Sequence, residues 1–287
     1  MLRTAVITTG GLGTRLLTYT KSNPKTLLPM YVKSDDRLRE PLLRPLIELI
    51  FENLYDCGFR RFCFIVGEKT KKSIFSQLLP NSSYVDILKK RNAEDDRRFI
   101  RVLSKLTKKT NSCEIQWISQ ATPMGFGHAL YSAKRFVGND TFLLHAGDAY
   151  FPNYNFMSHF KEIHNRSKNT YATLLIQHKK NLKGYGIAQI KRKNKMNQVF
   201  NVEEKPKTPK SNFAILPLYI FNPGIFNALK ETSKGYNNEL QVTDAIKTLI
   251  RDKKQILSLN YRQKSWFDIG TPSNYFRALE HSFKHSI

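Results

Sequence analysis

A chain of 287 residues with 40% hydrophobic content can bury a core without disulfides or structural metal, which excludes a small cross-linked scaffold. The net charge of +24 points to polyanionic partners, either nucleic acid or phosphorylated small molecules. No apolar stretch is long enough to span a bilayer, the run over residues 1–7 is too short for a signal peptide, and three cysteines without a CxxC pair suit buried free thiols, so a cytoplasmic protein with no membrane partner is expected.

In chain order, residues 3–8 read as a short buried strand that runs into Gly10-Gly11-Leu12-Gly13. Residues 45–55 carry apolar positions at helical spacing, closed by Gly58. Residues 61–66 form a second strand, 71–79 and 94–106 fit helices, and 114–118 a third strand. A helix over 127–136 leads to a fourth strand, 141–144, stopped by Gly147-Asp148. Strands alternating with helices predict an α/β fold with a mostly parallel sheet covered on both faces. From about residue 170 the pattern changes. Residues 171–177, 186–191, 199–203 and 214–221 look like strands with short connections, a smaller mixed or antiparallel part added to the sheet. Residues 242–251 and 273–285 close the chain as helices. No Gly/Ser linker intervenes, so a single domain over 1–287 is expected, with halves 1–169 and 170–287 completing one site.

The charge falls in short lysine and arginine clusters interleaved with polar residues, as on a solvated surface. An aromatic-interleaved basic motif and zinc-finger spacing are both missing, which argues against nucleic acid. The turn Gly10-Gly11-Leu12-Gly13-Thr14-Arg15 is more specific. Glycines let backbone N–H groups approach an anion closely. A P-loop would end in Gly-Lys-Ser/Thr, whereas this turn ends in Gly-Thr-Arg. A dinucleotide fingerprint would want a small residue at Leu16 and an acidic residue about twenty positions on at the tip of the second strand, but the strand that ends at Val66 is much too far away. What remains is an anion loop carrying Arg15, followed by Lys25 in Pro24-Lys25-Thr26-Leu27-Leu28-Pro29. A bidentate fork and a mobile point charge together suit a triphosphate.

These two motifs resemble the signature of the sugar-1-phosphate nucleotidyltransferases. Further matches follow in the family's order: Gln120 to Ala129, Gly147-Asp148, Gly184-Tyr185-Gly186, Val202 to Pro206, Ser211 to Ala214, Glu239 to Ile246, and Trp266 to Thr271. The resemblance covers nearly the whole chain and leans to the bacterial UTP–glucose-1-phosphate uridylyltransferases, with the glucose-1-phosphate thymidylyltransferases next. It implies a Rossmann-like fold of the nucleotide-diphospho-sugar transferase type with a β-rich sugar-binding part. It also implies a reaction between UTP, or alternatively dTTP, and glucose 1-phosphate, with Mg2+ as cofactor, and a homo-oligomer, dimer or tetramer. A protein that binds nucleotide-sugar without catalysis is the alternative from another class.

Carried over position by position, the resemblance assigns catalytic roles to Arg15, Lys25 and Lys205. Arg15 would hold the leaving phosphates, Lys25 would contact phosphates of either substrate, and Lys205 would orient the sugar phosphate. Gly10, Gly11, Gly13, Thr14, Gln120 and Gly125 would bind the nucleotide, Gln120 and Gly125 at the base edge. Gly186, Glu204 and Asn212 would hold the sugar, and Asp148 and Asp268 would share the metal. Two carboxylates so placed repel in the absence of a cation, so exchanging either for asparagine is expected to leave the fold as stable or slightly more so. Residues 239–244 read as a helix entry capped by Thr243 or Asp244, without chemistry. His128 reads as structural. Residues 32–44 look like an extra loop, mobile or serving a subunit contact.

Overall fold

The first strand, β1 (Thr4–Thr8), is apolar between its threonines because the sheet is covered on both faces. Ala5 and Ile7 enter one core layer and Val6 the other. An antiparallel hairpin follows, β2 (Pro29–Val32) and β3 (Leu42–Pro45). Next come β4 (Arg61–Gly67), β5 (Glu114–Gln120) and β6 (Phe142–Ala146). β1 lies between β4 and β6, β4 pairs with β5, and all these pairings are parallel. The two-residue β7 (Ala149–Tyr150) ends this half. The second half supplies β8 (Thr170–His178), β9 (Ile187–Lys193), β10 (Met196–Glu203), β11 (Phe213–Phe221), β12 (Gln255–Asn260) and the two-residue β13 (Phe267–Asp268). This computed structural model describes residues 2–287 except 12, 35–39, 80–81, 92–93, 123, 194–195 and 264, and not the side chains of 82, 83, 94 and 95.

Nine strands form one sheet in the order β5-β4-β1-β6-β11-β8-β12-β10-β9, so the sheet crosses from the first half into the second. The crossing strand is β11, antiparallel to β6 on one side and to β8 on the other. Its register with β8 slips between Ile215 and Tyr219, around Pro217, which has no N–H for a regular ladder. The mixed, mostly parallel core with a β-rich extension agrees with the sequence reading. Helices Leu46–Asp56, Lys71–Leu78, Val242–Arg251 and Pro272–Lys284 stand where apolar periodicity predicts them. The helix expected over 127–136 is broken into Phe126–Ser132 and Lys134–Val137, and the one beginning at Glu94 runs on to Asn111. Helices Met157–Asn165 and Ile225–Glu231 and strand β12 are additions to the elements read from the sequence. Among the described residues no helix is long and apolar enough to cross a membrane.

Two expectations need correction. Of the supposed loop 32–44, Val32 and residues 42–44 are strand residues of the hairpin, while 35–39 lie outside the described residues. Arg44 holds the hairpin to the helix behind it through Glu48, at 2.9 Å, and Glu52, and Tyr31 packs edge-on against Phe283 with ring centroids 5.0 Å apart. Of the three free cysteines only Cys63 is buried; Cys57 and Cys113 are half-buried.

Two histidines are enclosed in neutral form. His145 on β6 donates from Nδ1 to the Ala146 carbonyl and accepts at Nε2 from the Tyr154 hydroxyl, both at 2.7 Å. His164 bonds the Thr173 hydroxyl through Nδ1 at 2.9 Å. Burial pushes both pKa values down from 6.5 to about 4. The unfolded chain takes up these protons near pH 6.5 and the folded chain only near 4, so stability present above that window is lost as pH falls through it. Urea unfolding should give a midpoint that drops between pH 6.5 and 4, and His164→Asn should flatten that slope. An unchanged slope in the variant contradicts this account.

Candidate active site

The carboxyl ends of β1, β5 and β6 meet at one edge of the sheet, where ligands collect in open α/β sheets. The turns leaving them line a cavity of about 480 Å3. Gly10, Gly11, Gly13 and Thr14 come from the turn after β1, Gln120 from the last position of β5, and Gly125 from the entry to helix Phe126–Ser132. Lys25 and Asp148 complete the wall on the side of the second half. A second cavity of about 230 Å3 adjoins it. Arg15, Gly186, Glu204, Lys205 and Asp268 line this one, and Phe126, Asp148 and Pro217 line both. The irregularity of β11 at Pro217 therefore lies between the two cavities.

Thirteen of the fourteen residues singled out in the sequence reach one cavity or the other. Asn212 does not; it is exposed in the turn before β11, where its carbonyl accepts from the Lys179 N–H at 2.9 Å. Conversely, residues 239–244 are more than a helix entry. Gln241 stands at the N-cap, neither Thr243 nor Asp244 caps, and Gln241, Val242 and Thr243 line the smaller cavity. The Thr243 hydroxyl lies 3.0 Å from where a Cβ on Gly186 would stand. The reading of the residues also passed over Tyr185 and Trp266, which meet edge-on at 6.1 Å in the same wall. Their signal was present, since both adjoin motif residues in Gly184-Tyr185-Gly186 and Trp266-Phe267-Asp268.

Lys205 is held in an unfavourable backbone conformation, with φ at 43°, a left-handed value that costs a non-glycine residue about 1 kcal/mol or more. Its ammonium pairs with Glu204 at 3.0 Å and lies 4.6 Å from the centre of the Tyr236 ring. The backbone strain, the carboxylate and the ring together restrict where this cation can point.

The two halves are joined at the site by the short ribbon of β7 and β13. Asp268 is the register partner of Ala149, and the Ile269 N–H donates to the Asp148 carbonyl at 3.0 Å. This pairing brings the Asp148 and Asp268 carboxylates together. Asp148 forms a salt bridge with Lys25. Asp268 accepts from the Gly270 N–H at 2.9 Å, and the Arg15 guanidinium lies beside it. A Cβ at position 270 would stand 2.7 Å from Arg15 Nη2 and 2.8 Å from Asp268 Oδ1, so a side chain there would push these groups aside. The charges divide unequally. Burial and the neighbouring Asp148 raise the Asp268 pKa. Burial also acts on Asp148, but the Lys25 ammonium outweighs it and lowers the pKa.

The like-charge argument therefore holds for one carboxylate only. Asp268→Asn removes a group whose ionisation costs stability as pH rises past the ordinary carboxylate range, so it should stabilise the metal-free protein at pH 7. Asp148→Asn leaves Lys25, with 12% of its side chain exposed, without its counter-ion and should cost about 1–3 kcal/mol. Denaturant unfolding in EDTA reads both, and shifts of the same sign would contradict the asymmetry.

A family model described as nucleotidyl transferase matches residues 4–284. The UTP–glucose-1-phosphate uridylyltransferase of Bacillus subtilis is 30% identical over 279 residues, covering 94% of this chain and 87% of that protein. A low-salt glycan biosynthesis nucleotidyltransferase of Haloferax volcanii is 28% identical over 95% of this chain; the chain spans 64% of that relative's length. Among solved structures, a UDP-glucose pyrophosphorylase complexed with UDP-glucose superposes with a TM-score of 0.81 over 99% of this chain and all of that one, at 22% identity. A UTP-bound enzyme of the same type from Acinetobacter baumannii gives 0.78 over 98% of this chain and 93% of that one, at 24% identity. With the family model spanning almost its whole length, the chain belongs to the nucleotidyl transferase family.

Proposed function

We propose that this chain joins UTP to glucose 1-phosphate, giving UDP-glucose and pyrophosphate. The observation that carries the reading is the meeting of two cavities at Asp148, with the glycine turn, Gln120 and Lys25 in the larger and Lys205, Glu204 and Gly186 in the smaller. The names of the relatives support the choice of substrates.

In this reading the triphosphate lies along the glycine turn with its base at Gln120 and Gly125. The sugar fills the smaller cavity, its hydroxyls donating to Glu204, and its phosphate meets Lys205. An oxygen of that phosphate attacks the α-phosphorus, the bond from α-phosphorus to bridging oxygen breaks, and pyrophosphate leaves with the electron pair. The nucleophile is already anionic, so no general base is needed. Catalysis rests on alignment and on cations that meet the developing charge, with Arg15 at the leaving phosphates and Lys25 between the substrates.

The donor set at the junction fits a hard divalent cation. Asp148 and Asp268 offer only carboxylate oxygens, and the charge of one raises the pKa of the other, a repulsion that a shared cation relieves. Among the described residues no group of three or more His, Cys, Asp or Glu side chains forms a metal site, so an ion held by this pair would take its remaining ligands from phosphates and water. Mg2+ held there would neutralise phosphate charge and bring the two substrates together.

Pyrophosphate release should require UTP, glucose 1-phosphate and a divalent cation together; full turnover in excess EDTA removes the metal from the account, and a preference for ATP or GTP overturns the base reading. Lys205→Met, similar in length but uncharged, should fold normally and lose on the order of 100-fold in turnover. Unchanged kinetics with glucose 1-phosphate would place Lys205 outside the chemistry.

A further inference from the structure

Gln120 is 6% exposed, yet its amide is anchored rather than free in the wall of the larger cavity. Its Nε2 donates to His128 Nδ1 at 2.8 Å. Its Oε1 lies against the glycine turn, 3.1 Å from where Gly10 would carry a Cβ. An amide nitrogen only donates, so His128 Nδ1 is the acceptor and the ring proton sits on Nε2. The backbone that carries His128 is held in place, because helix Phe126–Ser132 is tied at its start by the Gly127 N–H to the Leu240 carbonyl at 2.8 Å. Gln120 lines the cavity and His128, behind it, does not.

The orientation of that amide has a chemical consequence. A uracil-type imide edge offers a ring N–H donor beside a carbonyl acceptor. A cytosine-type edge offers a ring nitrogen acceptor beside an amino donor. A freely turning amide matches either, since a half-turn exchanges its oxygen and nitrogen. Anchoring the nitrogen end leaves one N–H and the oxygen in fixed directions, and the base with the opposite pattern then faces donor against donor and acceptor against acceptor.

We propose that His128 is a positioning residue that locks the Gln120 amide in one orientation and so selects an imide base over a cytosine-type base. The proposal rests on the reading of Gln120 as the group that meets the base edge. The test compares kcat/KM for UTP and CTP with glucose 1-phosphate, by pyrophosphate release, in the parent and in Gln120→Ala, His128→Leu, His128→Gln and His128→Lys, each checked for native circular dichroism. His128→Leu should lower the UTP/CTP ratio by about tenfold or more, mostly through KM, with kcat at saturating UTP within about threefold. His128→Gln, whose amide oxygen can still accept, should restore most of the ratio. His128→Lys, which only donates, turns the Gln120 amide round and should lower the ratio below that of His128→Leu.

If Gln120→Ala loses the ratio while His128→Leu and His128→Lys keep it, the positioning role is overturned and the base reading stands. If Gln120→Ala keeps the ratio, or the parent turns over neither nucleotide nor dTTP, which has the same imide edge, the base reading and the proposal fall together. A measurement on the parent covers variants that fail to fold: nitrogen-15 shifts of the His128 ring should show Nδ1 without a proton, and a protonated Nδ1 overturns the proposal.

Discussion

Two residues of backbone pairing carry much of this architecture. The ribbon of β7 and β13 is only Ala149-Tyr150 against Phe267-Asp268, but it forces two carboxylates from distant parts of the chain into one place. Without compensation that contact would be unfavourable. The protein answers with Lys25 on Asp148 and with Arg15 beside Asp268. Both cations come from the segment after β1, so the glycine turn, the two carboxylates and the junction of the halves form one electrostatic unit. Folding stability is given up at Asp268, whose raised pKa records the cost, and is partly returned through the Lys25 pair.

A similar compromise recurs around the smaller cavity. Lys205 accepts a left-handed backbone, and β11 accepts a proline and a slipped register in the middle of a nine-stranded sheet. Each departs from what local preference would choose, and each lies in a cavity wall. The surrounding sheet is regular enough to hold these departures, as in proteins whose local rules are broken mainly where function requires it.

Much of this could be read from the amino acids. The Thr4–Thr8 strand with its glycine turn and the β6 strand before Gly147-Asp148 have run lengths and stop signals that leave little choice. The site set followed from motifs in register more than from any single residue, and only Asn212 fell outside the cavities. Other features needed three dimensions. Residues 32–44 read as loop because the hairpin strands are four residues each and their cohesion comes from Arg44 and Phe283, which no local pattern reveals. Thr243 reads as a capping residue because helix entries favour threonine, yet its hydroxyl turns to the cavity. The asymmetry of the pair was also hidden, since the sequence shows two like charges but not that Lys25 forms its salt bridge with Asp148.

The claim on which the rest depends is that Asp148 and Asp268 act as one cation site across the junction of the halves. Titrating Mn2+ into the protein with UTP present, read by water-proton relaxation, tests it directly. The account predicts one cation per chain that neither UTP nor protein binds as tightly alone. Asp148→Asn and Asp268→Asn should each weaken it by about tenfold or more, and the double variant by little beyond the worse single one, as for residues acting together. Unchanged Mn2+ affinity in Asp268→Asn, or additive losses in the double variant, would contradict the shared site.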